Sequence, residues 1–93
     1  MERRRLSPEE FASALDDLSG WKVNGDFIER SLKFENFAES LSFVNKVGAL
    51  AEDADHHPDI TFGWGYVNIK LTTHDRGGVT DVDIALANKI DAL

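Results

Sequence analysis

The spacing of apolar residues switches between helical and strand periods along the chain. Phe11, Leu15 and Leu18 recur at helical spacing behind Ser7-Pro8-Glu9-Glu10. There a Ser cap, a first-turn Pro and a Glu three positions after the Ser form the signature of a helix N-terminus. The pattern predicts a first helix ending near Ser19-Gly20. Trp21-Lys22-Val23 and Phe27 to Phe34 flank Asn24-Gly25, a pair that tolerates the positive φ of a tight turn, so these segments read as an antiparallel hairpin. Asn36 and Glu39 repeat the cap pattern, and Phe37, Leu41, Val44, Val47 or Gly48, and Ala51 follow as one apolar stripe, predicting a second helix to about Asp55.

Pro58 disfavours helical geometry at His57, so the helix gives way to extended chain within His56-His57-Pro58. Asp59 to Thr73 reads as a second hairpin that turns at or near Gly63-Trp64-Gly65. Val67, Ile69 and Leu71 form the buried face of its returning strand, and Asn68, Lys70, Thr72 and His74 the other face. Asp75-Arg76-Gly77-Gly78 is a loop. Thr80, with Asp83 three positions later, opens a third helix carrying Ile84, Leu86 or Ala87, and Ile90. The order helix, hairpin, helix, hairpin, helix predicts an α+β fold with helices packed on one face of an antiparallel sheet. The opposite face is left for an oligomer contact or a ligand wall.

At 93 residues the chain is expected to form one domain. A chain of this length buries only about 60 to 65 % of its unfolded surface, so a homo-oligomer is the expected source of further stability. Seventeen Asp and Glu against ten Lys and Arg give a net charge of -7, which repels phosphate backbones and anionic lipid and points to a small ligand. The chain has no cysteine, which excludes disulfides and thiolate chemistry and suits a reducing cytosol. No apolar run approaches the roughly 20 residues of a membrane span, and Met1-Glu2-Arg3-Arg4-Arg5 leads into no apolar signal segment. Those arginines read as a solvated terminal run.

The residues suited to chemistry cluster around the histidines. His56 and His57 lie at an element boundary, and a hairpin turning near Gly63 to Gly65 returns His74 beside them. Carboxylates surround the same junction: Glu52 one helical turn before His56, Asp55 directly before it, and Asp59 after Pro58. A helical Glu52 is placed to orient His56, since a carboxylate partner fixes the imidazole tautomer and favours the charged form. Three histidines with nearby acids also resemble a metal-ligand set. Adjacent residues entering extended chain point in different directions, however, and the sequence has no His-x-His or His-x3-His pair, so no metal is expected. Taken singly, the His-His-Pro segment also reads as a solvated helix end, Asp83 as a capping carboxylate, and Trp21 and Trp64 as core or interface aromatics.

Together, Glu52-Asp53-Ala54-Asp55-His56-His57-Pro58-Asp59, Val67-Asn68-Ile69-Lys70-Leu71-Thr72-Thr73-His74 and Gly78-Val79-Thr80-x-x-Asp83-Ile84-x-Leu86-Ala87 resemble the pterin-4a-carbinolamine dehydratase family. The likeness extends upstream through Gly20-Trp21 and Phe34 to Val47. It implies a four-stranded antiparallel sheet with three helices on one side, assembled as dimers or tetramers, and it implies no cofactor. It also implies the substrate, a 4a-hydroxytetrahydropterin that loses water to give the quinonoid dihydropterin. The C4a hydroxyl must be protonated as it leaves and the N5 proton removed. Imidazole can do either near neutral pH, each role typically adding on the order of 10² to 10⁴ in rate.

By the resemblance His56 is the acid candidate, His74 the base candidate, and His57 holds the pterin. Glu52, Asp55, Pro58, Asp83 and Trp21 bind or orient around them, with Asp83 supporting His74 or the helix behind the pocket and Trp21 bordering the ring or the core. Ile60 stands where many relatives of this kind carry an aromatic. The alternative is a protein-binding dimerisation module resembling the transcriptional-coactivator role of mammalian relatives.

Overall fold

The computed structural model describes residues 5–18 and 20–93. The run Met1 to Arg4 and Ser19, the expected end of the first helix, lie outside them. Arg5 is exposed and forms an isolated antiparallel bridge with Thr80.

Helix α1, Pro8–Asp16, starts with reciprocal capping: the Glu10 amide donates to Ser7 Oγ at 3.1 Å and the Ser7 amide to Glu10 Oε1 at 2.9 Å. It stops before the expected end because the chain tightens, with the Leu18 amide reaching Leu15 O at 3.1 Å. That contraction turns Leu18 into the core.

Strands β1, Lys22–Asn24, and β2, Phe27–Lys33, form the first hairpin. Asn24 pairs with Phe27, so the turn is Gly25-Asp26, one residue later than Asn24-Gly25, and Gly25 takes the positive φ of 62°. Strands β3, Asp59–Gly63, and β4, Tyr66–Leu71, form the second, turning at Trp64-Gly65 with Gly65 at φ 80°. The sheet order is β1-β2-β4-β3, every pair antiparallel.

Register decides what each face carries. Ile28 opposes Leu71, Arg30 opposes Ile69, and Leu32 opposes Val67, while Ile60 and Phe62 extend these rows onto β3. Directly opposed residues share a face. This face therefore holds Ile28, Val67, Ile69 and Leu71, all fully buried. The other face carries a row of alternating charge across all four strands, Lys22, Glu29, Lys70 and Asp59, and among the described residues the helices pack on the opposite, apolar face.

Helix α2, Phe37–Ala54, begins where the Glu39 amide donates to Asn36 Oδ1 at 2.9 Å. Its inward face runs through Ser40, Val47 and Ala51, with Phe43, Val44 and Leu50 partly buried. Phe37 and Leu41, placed on the stripe by sequence, stay substantially exposed. Ser40 takes their place because its hydroxyl is satisfied within the helix, donating to Asn36 O at 3.2 Å.

Helix α3, Asp81–Asp91, buries Val82, Asp83, Leu86, Ala87 and Ile90. Leu86, Ala87 and Ile90 join Val47 and the buried strand residues in one core, against which Phe11 and Leu15 of α1 also pack. The α+β arrangement of three helices and a four-stranded antiparallel sheet is thus as the sequence pattern predicts.

Candidate active site

The site forms where α2 ends, β4 ends and α3 begins. Asp55 adopts a left-handed conformation, φ 49° and ψ 43°, and the His56 amide closes back onto Ala51 O at 3.1 Å. Asp tolerates this conformation better than most side chains, and the closure adds a second donor to a carbonyl that the Asp55 amide also reaches. The reversal throws the two histidines to different sides. His56 is 5 % exposed, whereas the His57 side chain is 60 % exposed.

His56 meets Asp83 on the first turn of α3, Nε2 lying 2.5 Å from Oδ1. Asp83 has no solvent exposure, and its second oxygen is fully engaged: the Thr80 amide donates to Oδ2 at 2.9 Å and Thr73 Oγ at 2.8 Å. The Thr73 and Thr80 hydroxyls are themselves 2.8 Å apart. A buried carboxylate is tolerated when surrounded by donors in this way. Among the described residues no buried side-chain nitrogen or oxygen lacks a hydrogen bond. Because the side-chain bond of His56 is made at Nε2, Nδ1 is the ring nitrogen that this bond leaves available.

Thr73 lies beyond the last residue of β4 but continues its inward alternation of Val67, Ile69 and Leu71. It pairs with Gly78 through bonds of 3.0 and 3.3 Å, which close a small loop. Within it His74–Arg76 form a single 3₁₀ turn, ended by Gly77 at φ 71°. His74 therefore stands exposed at the head of this turn rather than on the open face of the strand. The expectation of a strand position fails because the ladder ends at Leu71.

A cleft of about 290 Å³ is lined by Asp55, His56, His57, Thr72, Thr73, His74 and Asp75. All three histidines border it. A larger groove of about 460 Å³ lies between α2 and α3 on the other side of Asp55, but no histidine lines it. The small cleft matches a compact ligand near the lower end of ordinary pocket sizes.

The carboxylate partners differ from those read from spacing. Glu52 Oε2 lies 2.6 Å from His57 Nε2, not beside His56, because the left-handed step at Asp55 breaks the helical spacing that would bring Glu52 to His56. Asp83 holds His56, not His74. Trp21 is buried in the core and donates from Nε1 to Asp91 Oδ1 at 2.9 Å, and Arg30 pairs with the same oxygen. Asp91 ends α3 while Asp83 lies in its first turn, so the indole is held at the end of that helix away from His56. Pro58 is half-buried and directs the chain from His57 into β3 without lining the cleft. Thr72, Thr73, Asp75 and Thr80 were not read as site residues from the sequence, where Thr72 was placed on the open face of the strand, Asp75 in a loop and Thr80 as a helix cap. The available signal was Thr73 itself, a hydroxyl on the buried period of a strand, which must find a partner inside. Among the described residues no three His, Cys, Asp or Glu side chains converge as a metal-ligand group.

Comparison with known proteins gives the lineage. A relative from Thermomicrobium roseum is 48% identical over 89 residues, covering 96% of each chain, and one from Sulfurisphaera tokodaii is 41% identical over 90 residues, covering 97% of each. Both carry, provisionally, the name pterin-4-alpha-carbinolamine dehydratase. A crystal structure described as a transcriptional coactivator/pterin dehydratase from Brucella melitensis superposes with a TM-score of 0.89 at 38% identity, covering 96% of this chain and 97% of that one. A pterin dehydratase-like protein described as a RuBisCO assembly factor in the alpha-carboxysome superposes with a TM-score of 0.62 at 29% identity, covering 77% and 83%. The family model for pterin 4 alpha carbinolamine dehydratase matches residues 4–93. With this match spanning nearly its whole length, the chain belongs to the pterin 4 alpha carbinolamine dehydratase family.

Proposed function

We propose that the chain, as one domain over residues 1–93, removes water from a 4a-hydroxytetrahydropterin to give the quinonoid dihydropterin. The observation that carries this reading is the convergence of His56, His57 and His74 on one cleft, with carboxylates holding the first two. The C4a–O bond breaks as the leaving oxygen takes a proton. The N5 proton departs to a base, and the electron pair left on N5 forms the C4a=N5 bond. His56, set by Asp83, is the acid. His74, exposed across the cleft, is the base. His57, steadied by Glu52, holds the pterin. These steps require no metal or organic cofactor. A cytoplasmic location belongs to the same reading, supported by the lack of cysteine; among the described residues no helix is long and apolar enough to cross a membrane.

A second reading is a protein-binding module, acting as a dimer or tetramer without catalytic duty, as the descriptions of the two structural neighbours suggest. Dehydration kinetics on wild type, His56→Ala and His74→Ala, with folding checked by circular dichroism, separate the two. Wild-type acceleration lost on the order of 10²-fold or more in each variant supports the enzyme. Wild-type protein with no rate above background supports the module.

A further inference from the structure

Asp83 has two oxygens with different neighbours. Oδ1 faces His56 Nε2, while Oδ2 receives the Thr80 amide and the Thr73 hydroxyl. With the Thr73 hydrogen directed at Asp83, the 2.8 Å contact between the hydroxyls leaves Thr80 as donor to Thr73. Hydrogens then run in one direction, from Thr80 Oγ to Thr73 Oγ to Asp83 Oδ2. Thr73 is 1 % exposed and Thr80 fully buried, so no water competes for these bonds and the direction is fixed by the protein.

From this we infer that Thr73 is a positioning residue for the reacting imidazole. By saturating Oδ2 it makes Asp83 an acceptor on every side and prevents the carboxyl group from rotating. The ring nitrogen facing Oδ1 must then carry hydrogen, so the neutral His56 ring is the Nε2–H tautomer. Nδ1 presents its lone pair, or in the charged ring its proton, to the cleft, and is the atom that exchanges hydrogen with the ligand. The kinetic consequence rests on the dehydratase reading; the tautomer does not.

The test compares wild type, Thr73→Val and Thr73→Ser. Valine keeps the shape and removes the hydroxyl, whereas serine restores it. Long-range proton–nitrogen NMR on protein labelled with ¹⁵N-histidine reads the His56 tautomer, and dehydration kinetics are measured on the same samples. Wild type and Thr73→Ser are expected to show Nε2–H. Thr73→Val is expected to show a mixture with Nδ1–H and a kcat lowered on the order of tenfold, with KM within about twofold. If Thr73→Val does not fold, Thr80→Val interrupts the same chain one step further out while keeping the amide bond to Asp83, and should shift the tautomer in the same direction. An Nδ1–H tautomer in wild type overturns the inference, as does a folded Thr73→Val protein with unaltered tautomer and kcat. The expected tautomers in a wild type that does not accelerate dehydration uphold the positioning by Thr73 and remove the dehydratase reading alone.

Discussion

The imidazole of His56 and the carboxylate of Asp83 meet at 2.5 Å and join the end of α2 to the first turn of α3 across 27 residues of chain. This contact gives the sharpest mutational expectation. Asp83→Asn preserves shape but presents an amide where only acceptors fit, so either the His56 ring shifts to the Nδ1–H tautomer and accepts at Nε2 or two donors face each other. We expect kcat to fall on the order of 10²-fold or more, comparable in kind to the loss when a triad carboxylate becomes an amide. Stability should fall by about 1–3 kcal/mol, because the Thr73 and Thr80 donors lose a buried charged acceptor. Steady-state kinetics with urea unfolding check both.

Glu52 and His57 should behave differently. Their side chains are 77 % and 60 % exposed, and an ion pair in that setting contributes less than about 1 kcal/mol. Glu52→Gln should therefore leave the unfolding midpoint nearly unchanged. If His57 grips the ligand, KM should rise several-fold while kcat stays close to wild type. A collapse of kcat would transfer the role of Glu52 to the reacting imidazole.

Trp21 separates core from cleft. Trp21→Phe removes the bond to Asp91 and part of a buried ring, so it should destabilise the fold by about 1–3 kcal/mol. Its kcat should match wild type at a temperature where both proteins are folded, and equilibrium unfolding alongside kinetics tests the separation.

Gly77 seats the turn that carries His74. Its φ of 71° would strain any substituent, although nothing lies within 4 Å of where a Cβ would stand. Gly77→Ala should cost about 1–2 kcal/mol, and Gly77→Asn less, since Asn visits the left-handed region more readily. Because the loop closes at Thr73 and Gly78, the loss of kcat/KM in Gly77→Ala should be smaller than in His74→Ala.

The elements were legible in the sequence because their signals are local. Ser7 with Glu10, Asn36 with Glu39, and Thr80 with Asp83 each satisfy amides within one turn. Gly25 and Gly65 mark the two turns by the conformation they permit. The meeting of the histidines was legible too, because a hairpin must return to where it began.

The pairing of acids with rings was not. It depends on the left-handed step at Asp55, a single pair of backbone angles that redirects two side chains at once. The indole of Trp21 was ambiguous for a related reason: its partner stands 70 residues away, and nothing near Trp21 announces it. Phe37 and Leu41 misled because they fit a helical period, yet only the tertiary packing decides which arc of a helix turns inward.

The closed loop between Thr73 and Gly78 sets His56 and His74, the two imidazoles proposed to react, on unequal mountings. One imidazole is clamped in the interior, while the other rides on a short hoop hinged at its base. Under the proposed dehydration, a change in the hoop would move His74 relative to the ligand and leave the His56–Asp83 contact in place. On that reading, placement of the ligand and delivery of the proton would be sensitive to different parts of the same small cleft.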